Sequence, residues 1–169
     1  MAEYLGAPIV VPANDHPHRE YLEHNASGNF TIQKCSDCGH YRYPVGTACP
    51  DCRSLDSSWE ALSGKGVIYS YYVVPHAINP AFKDFVPYPV ILVELDEARE
   101  EYGEGRALRI VGNLLDADGK PELLANVAIG KRVEVTMIDL GDGWALPQWM
   151  LLDEPPEFEP WQPPGPQTL

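Results

Sequence analysis

A chain of 169 residues with a 44% hydrophobic composition has room for one ordinary domain or two small ones. Its 25 acidic residues outnumber 12 basic ones, and the net charge of -13 repels phosphate backbones and anionic membrane surfaces. No apolar run approaches the ~20 residues that cross a bilayer. The opening Met1-Ala2-Glu3-Tyr4 has no basic segment ahead of an apolar stretch, so a cytoplasmic location is the expectation.

Residues 1–14 read as an extended arm. Asp15 with Pro17 resembles a helix start, an N-cap with proline in the first turn. Arg19 to His24 continue it, Tyr21 and Leu22 form its buried side, and Gly28 is its stop. The first unit is residues 1–28.

Residues 29–63 read as a ribbon. Phe30 to Lys34 alternate apolar and polar, Tyr41 to Pro44 return, and Trp59 to Leu62 alternate again. The chain's only cysteines, Cys35, Cys38, Cys49 and Cys52, punctuate these strands as two C-x-x-C pairs with ten residues between them. Four thiolates at this spacing close a tetrahedron around zinc and leave no position for water, so the metal is structural. Iron in the same four-cysteine setting stays open. Paired disulfides are the competing reading, disfavoured by C-x-x-C spacing and the absent leader. A redox C-x-x-C would need a neighbouring βαβ pattern, which is absent. His40 reads as a surface histidine. Because so small a module buries little core, the metal is expected to supply much of its folding free energy.

Residues 64–152 read as β throughout. Val67–Val74, Pro89–Leu95, Ala107–Leu114, Arg132–Ile138 and Leu146–Leu151 are five strands, the last two joined through Gly141-Asp142-Gly143. Five strands with turn signals between them fit a Greek-key OB-fold barrel. The fold class is therefore mainly β: an N-terminal helix, a rubredoxin-like zinc ribbon, then a five-stranded OB-fold barrel. The loop from His76 to Tyr88 carries Phe82 and Phe85, which either mark a contact surface or fold over the barrel mouth. Glu97 to Gly105 reads as solvated. Residues 153–169 form a proline-rich tail that is neither helix nor inner strand. It is disordered or polyproline II, with Phe158 and Trp161 as anchors for a partner or for the chain's own surface.

No G-x-S-x-G, P-loop or G-x-G-x-x-G after a strand is present. Gly64-Lys65-Gly66 reads as a turn. His76 with Asp84 is the only base-and-orienter pair that offers itself, and a loop histidine is more often a plain polar residue. A binding or accessory module fits better than a self-sufficient enzyme. A single-strand nucleic-acid binder, another use of the OB-fold, is opposed by the charge and the scattered cations.

Several segments together resemble one family. They are Cys35-x-x-Cys38-Gly39, Tyr43-Pro44, Cys49-Pro50-x-Cys52, the stretch from Trp59 through Gly64 to Tyr71, Pro87 to Leu95, and Gly130 to Val135. The family is that of zinc-ribbon, OB-fold proteins associated with acyl-CoA metabolism, formerly a domain of unknown function. The likeness covers residues 15–152 and omits the tail. It implies a non-catalytic subunit that binds a thiolase-fold partner and helps bind or channel acyl-CoA, with steroid side-chain retro-aldol cleavage as the favoured reaction. A subunit bridging a thiolase and an HMG-CoA synthase, or one within an acyltransferase complex, is the alternative. Catalytic residues would lie on the partner. Candidate contacts for the pantetheine arm are Tyr69, Tyr71, Tyr72, Phe82 and Phe85, with barrel core as the competing role for Tyr69 and Tyr71. Lys65, Lys83, Arg109, Lys131 and Arg132 are candidates for the phosphates, and His76 stands beside them at the loop start. The net acidity is reconciled if the partner supplies part of the nucleotide pocket.

Overall fold

The computed structural model describes residues 1–12, 17–97 and 107–163. Helix α1 runs Pro17–Ala26 and buries Tyr21, Leu22 and Asn25, the expected side. Asp15, its expected cap, lies outside the described residues. Gly28, at φ +82°, closes the helix by donating its N–H to the Asn25 carbonyl at 3.0 Å.

The ribbon comprises β3 (Thr31–Cys35), β4 (Tyr41–Arg42) and β5 (Ser57–Ala61), in the order β4-β3-β5. The barrel comprises β6 (Lys65–Val74), β7 (Tyr88–Leu95), β8 (Arg109–Leu115), β9 (Arg132–Gly141) and β10 (Trp144–Leu151). It closes in the order β10-β8-β7-β6-β9. Every seam is antiparallel except β8–β10, where Trp149 stands opposite Leu114 in parallel register. This is the expected OB-fold. The β9–β10 turn has Gly141, Asp142 and Gly143 all at positive φ, as the glycine-flanked sequence requires. Among the described residues, no helix is long and apolar enough to cross a membrane.

Ribbon and barrel share one core. Phe30, Ile32, Tyr41 and Val45 from the ribbon and Tyr21 from α1 join Ile68, Ile91, Val93, Ile110, Leu114, Val133 and Trp149 in a single buried cluster. Phe30 meets Trp149 edge-on at 6.1 Å between ring centroids. Gly64 sits at this junction with φ +75°, and a Cβ there would stand 2.2 Å from Val135 Cγ1. The ribbon therefore does not rely on metal alone for its order.

The N-terminal arm is not simply extended. Glu3–Tyr4 (β1) and Ala7–Pro8 (β2) form a hairpin around Leu5 and Gly6, at φ +49° and +80°, the left-handed pair that a tight two-residue turn needs. It buries Ala2 and Tyr4 against Leu140, with Phe82, Ile138, Trp144 and Leu146 around them. Phe82 thus folds back: its ring lies 6.0 Å from Tyr4 and 5.9 Å from Tyr88. Tyr69 also departs from expectation. A bulge between Ile68 and Ser70 breaks the alternation of β6 and turns Tyr69 outward, 47% exposed. Tyr71 packs on the core as expected. Of the acidic stretch beginning at Glu97, only Glu97 is described; it accepts the Ser63 N–H.

Candidate metal centre

The four cysteines stand at the tip of the ribbon, on two knuckles of the same construction. In the first, the Gly39 N–H donates to the Cys35 carbonyl (3.0 Å) and the Cys35 N–H to the His40 carbonyl (2.9 Å). In the second, the Arg53 N–H donates to the Cys49 carbonyl (2.9 Å) and the Cys49 N–H to the Ser54 carbonyl (2.8 Å). The residue after each C-x-x-C turns left-handed, Gly39 at φ +76° and Arg53 at φ +65°. Such a turn brings both sulfurs of a knuckle to one side.

All four sulfurs lie within 4.8 Å of one another. Cys35 and Cys52 are 3.6 Å apart, and Cys38 and Cys49 3.5 Å. Metal–sulfur bonds of about 2.3 Å in a tetrahedron place sulfurs ~3.8 Å apart, so this donor set fits zinc. A disulfide needs about 2.05 Å, and all four thiols are free. Four cysteines positioned to bind a metal, in a ribbon of this kind, make a structural zinc centre.

The electrostatics divide the four. Backbone N–H groups of Cys38 and Asp37, with the Arg42 guanidinium, hold the Cys35 thiol down at about 5. The Cys52 and Asp51 N–H groups lower Cys49 likewise. For Cys38, the His40 N–H pulls the other way, but desolvation and the neighbouring sulfurs push the thiol up to about 12. Cys52, against the Ser54 N–H, is also raised by burial and by the Cys35 and Cys49 sulfurs. Cys35 is thus a thiolate at neutral pH and Cys49 is shifted the same way, while the two sulfurs at the surface carry protons that a metal must displace.

Arg42 was not singled out by the sequence. It lies 2% exposed behind the cysteines and donates to the carbonyls of Ser54 (3.0 Å), Asp56 (2.8 Å) and Thr47 (3.4 Å). Burial works against its charge, and the Cys35 and Cys49 sulfurs hold it. A zinc tetrathiolate carries two net negative charges, and Arg42 balances one of them from inside. Gln33 braces the loop before the second knuckle, accepting the Gly46 N–H at 3.1 Å and donating to Ser57 Oγ at 3.0 Å. His40 bridges the knuckles through Asp51 at 3.2 Å.

The candidate acyl-CoA contacts fall into two separate groups. Lys65 and Arg109 stand where β6 and β8 begin, at one end of the barrel. His76, Phe82, Lys83 and Phe85 follow the far end of β6, about 30 Å along the strand at ~3.3 Å per residue. His76 and Lys83 are exposed and Phe85 is half-buried. Tyr71, between the two groups, has a buried hydroxyl without a hydrogen-bond partner. The cations at the near end meet the chain's own carboxylates: Lys65 with Glu154 at 2.7 Å, Arg109 with Glu94 at 2.9 Å, Arg132 with Asp96 and Glu154. Arg109 also lies 3.6 Å over the Tyr69 ring. Lys131 donates to the Asn126 carbonyl at 2.6 Å.

Comparison with known proteins gives a consistent family. Residues 59–137 match the family model for the ChsH2 C-terminal OB-fold domain, and residues 26–57 that for the ChsH2 rubredoxin-like zinc ribbon domain. The chain is 35% identical over 108 residues to a DUF35 domain-containing scaffold protein of Methanothermobacter thermautotrophicus, covering 63% of this chain and 70% of that protein. It is 38% identical over 86 residues to a probable enoyl-CoA hydratase alpha subunit of Thermomonospora curvata. That match takes in 51% of this chain but only 26% of the longer protein. Among solved structures, a chain of the Ltp2-ChsH2(DUF35) aldolase superposes with a TM-score of 0.65 at 30% identity, covering 83% of this chain and 98% of that one.

Proposed function

This chain belongs to the ChsH2 family of DUF35 proteins, and on that premise we propose that it is an accessory subunit that binds a thiolase-fold partner and helps it handle an acyl-CoA. The favoured reaction is retro-aldol cleavage of a steroid side-chain acyl-CoA, with the reacting groups on the partner. One observation carries the reading: 98% of a chain of the Ltp2-ChsH2(DUF35) aldolase superposes on this one, at 30% identity. Two features of the chain support it. His76 and Asp84 are both exposed and no hydrogen bond joins them, so that pair is not assembled as a base and its orienter. Lys65, Arg109 and Arg132 already meet carboxylates, which fits a nucleotide pocket completed by another chain and opposes a nucleic-acid groove. Free thiols arranged for a metal suit a reducing compartment, so the cytoplasm is part of the proposal.

A scaffold that bridges a thiolase and an HMG-CoA synthase is the second reading, favoured by the scaffold designation of the methanogen relative. Co-expression with a thiolase-fold aldolase of the same host tests the first. Cleavage of a steroid acyl-CoA is expected only when both chains are present. Full activity of the partner alone would refute it. Tight binding of acyl-CoA to the isolated chain, measured by calorimetry, would refute the shared pocket while leaving the partnership standing.

A further inference from the structure

Unlike the barrel, the ribbon is an open sheet. Its order β4-β3-β5 leaves one long side of β5 unpaired, and the register on β3 fixes which groups face it. At one end of the strand the Leu62 N–H donates to the Phe30 carbonyl, and at the other the Ser36 N–H donates to the Asp56 carbonyl. Ser58 and Glu60, in step with these, bond inward to Lys34 and Ile32, so the main-chain groups of Ser57, Trp59 and Ala61 point away from β3. Among the described residues, nothing bonds to them on that side. Ser63, next in the same series, already takes a partner there: its N–H is held by the Glu97 carboxylate at 2.6 Å. The strand has no proline, no lysine and no bulge to guard its edge. The other edge of the sheet, β4, is only two residues long.

A groove of about 650 Å³ runs beside this open side, lined by Ser57 and Trp59 from β5, by Glu20, Glu23 and His24 from α1, and by Ser27 just beyond the helix. Trp59 forms its floor. The indole lies 4.7 Å from the His24 ring, and its Nε1 donates to Glu20 Oε2 at 3.3 Å. Glu23 engages Arg19 through Oε1 alone, so each carboxylate keeps an oxygen for another donor. Among the described residues, no lysine or arginine lines the groove. The chain's own tail is seated elsewhere, where Trp161 bridges Ile129.

We propose that this groove binds an extended segment of a partner protein as an added strand on β5, with basic side chains at alternate positions. Main-chain bonds to Ser57, Trp59 and Ala61 supply affinity, and side chains that alternate toward α1 supply choice. A guanidinium or ammonium group there lies over an indole face and between two carboxylates, the setting that favours a cation. The inference goes beyond the acyl-CoA reading and stands or falls separately from it.

The test uses the full zinc-loaded chain at physiological salt, where loose attraction to a net acidic surface is screened, and a fluorescein-labelled peptide, Arg-Val-Arg-Val-Arg-Val-Arg. Anisotropy is expected to show saturable binding, at least about tenfold tighter than for the peptide with glutamate in place of arginine. At saturation, hydrogen exchange at the Trp59 and Ala61 amides is expected to slow at least about tenfold. Ala61→Pro removes an N–H that bonds nothing in the free chain, a position where an edge strand tolerates proline. It is expected to keep its zinc and to bind at least about tenfold more weakly. E20Q/E23Q changes only exposed side chains and is expected to weaken the arginine peptide by a similar factor, which keeps the test decisive if A61P does not fold. Absence of saturable binding would overturn the proposal. So would bound peptide with unchanged exchange at both amides, or wild-type affinity in E20Q/E23Q or in a zinc-loaded A61P.

Discussion

Replacing Arg42 by methionine removes a cation buried behind the metal centre while keeping most of its apolar stem. Two of the carbonyls it serves, Ser54 and Asp56, accept at 3.0 and 2.8 Å, and hydrogen bonds to a charged donor contribute about 1.5–3 kcal/mol each. With the weaker bond to Thr47 neglected, R42M should cost about 3–6 kcal/mol of stability, a large part of the ~5–15 kcal/mol typical of a domain. The metal should be felt separately. A unit charge at hydrogen-bonding range interacts by about 4 kcal/mol at an effective dielectric near 20. Halving this for the solvent that reaches Cys38 and Cys52 leaves ~2 kcal/mol, or a roughly 30-fold loss of zinc affinity. R42K, which keeps the charge but not the fork, should fall between. Urea denaturation of the zinc-loaded chain reads the first quantity, and competition against a fluorescent chelator reads the second. If R42M keeps both within twofold of wild type, Arg42 does not balance the thiolates and the account of the centre is wrong.

Three further outcomes follow from the same geometry. Because Cys38 sits at about 12 and Cys52 is raised above the ordinary thiol value, while Cys35 sits at about 5, zinc displaces at least the two protons of Cys38 and Cys52 near neutrality. Protons compete with metal, so affinity rises with pH, by at least about 100-fold per unit between roughly pH 6 and 8. A chelator titration at three pH values checks this, and a tenfold slope would mean that only one thiol is protonated. Arg53→Gly places at the left-handed position of the second knuckle the residue that the first already has. It should stabilise by about 0.5–1 kcal/mol, seen as a higher thermal midpoint, whereas a lower midpoint would argue that the Arg53 side chain contributes contacts of its own. Gly64→Ala introduces a Cβ into the Val135 side chain at a positive φ and should destabilise by about 2–4 kcal/mol. A denaturation midpoint equal to wild type would show that the ribbon–barrel junction can yield.

The zinc ribbon and the barrel were legible because their signals are local. Ligand spacing lies within eighteen residues of chain, and the strands are runs of β-branched and aromatic residues. What escaped was set by distant or unusual geometry. The turn of the first hairpin uses Leu5 at φ +49°, a conformation that leucine gives no reason to expect. Arg42 lies in a two-residue strand, too short for alternation to say that it faces inward. One extra residue at the bulge reversed the side on which Tyr69 falls. The cations proposed for phosphates carry no mark of their partners: Lys65 meets Glu154 across 89 positions of chain. The turn-back of Phe82 depends on Tyr4, which is also distant in sequence.

Phe30 and Ile32 sit among barrel side chains rather than beneath a ribbon of their own. The two modules are consequently not beads on a string that recombination could trade. A ribbon transplanted to a foreign barrel would arrive with half a jigsaw, and oxidation that stripped its metal would be transmitted as loosened packing around Trp149, on the far side of the junction from any sulfur.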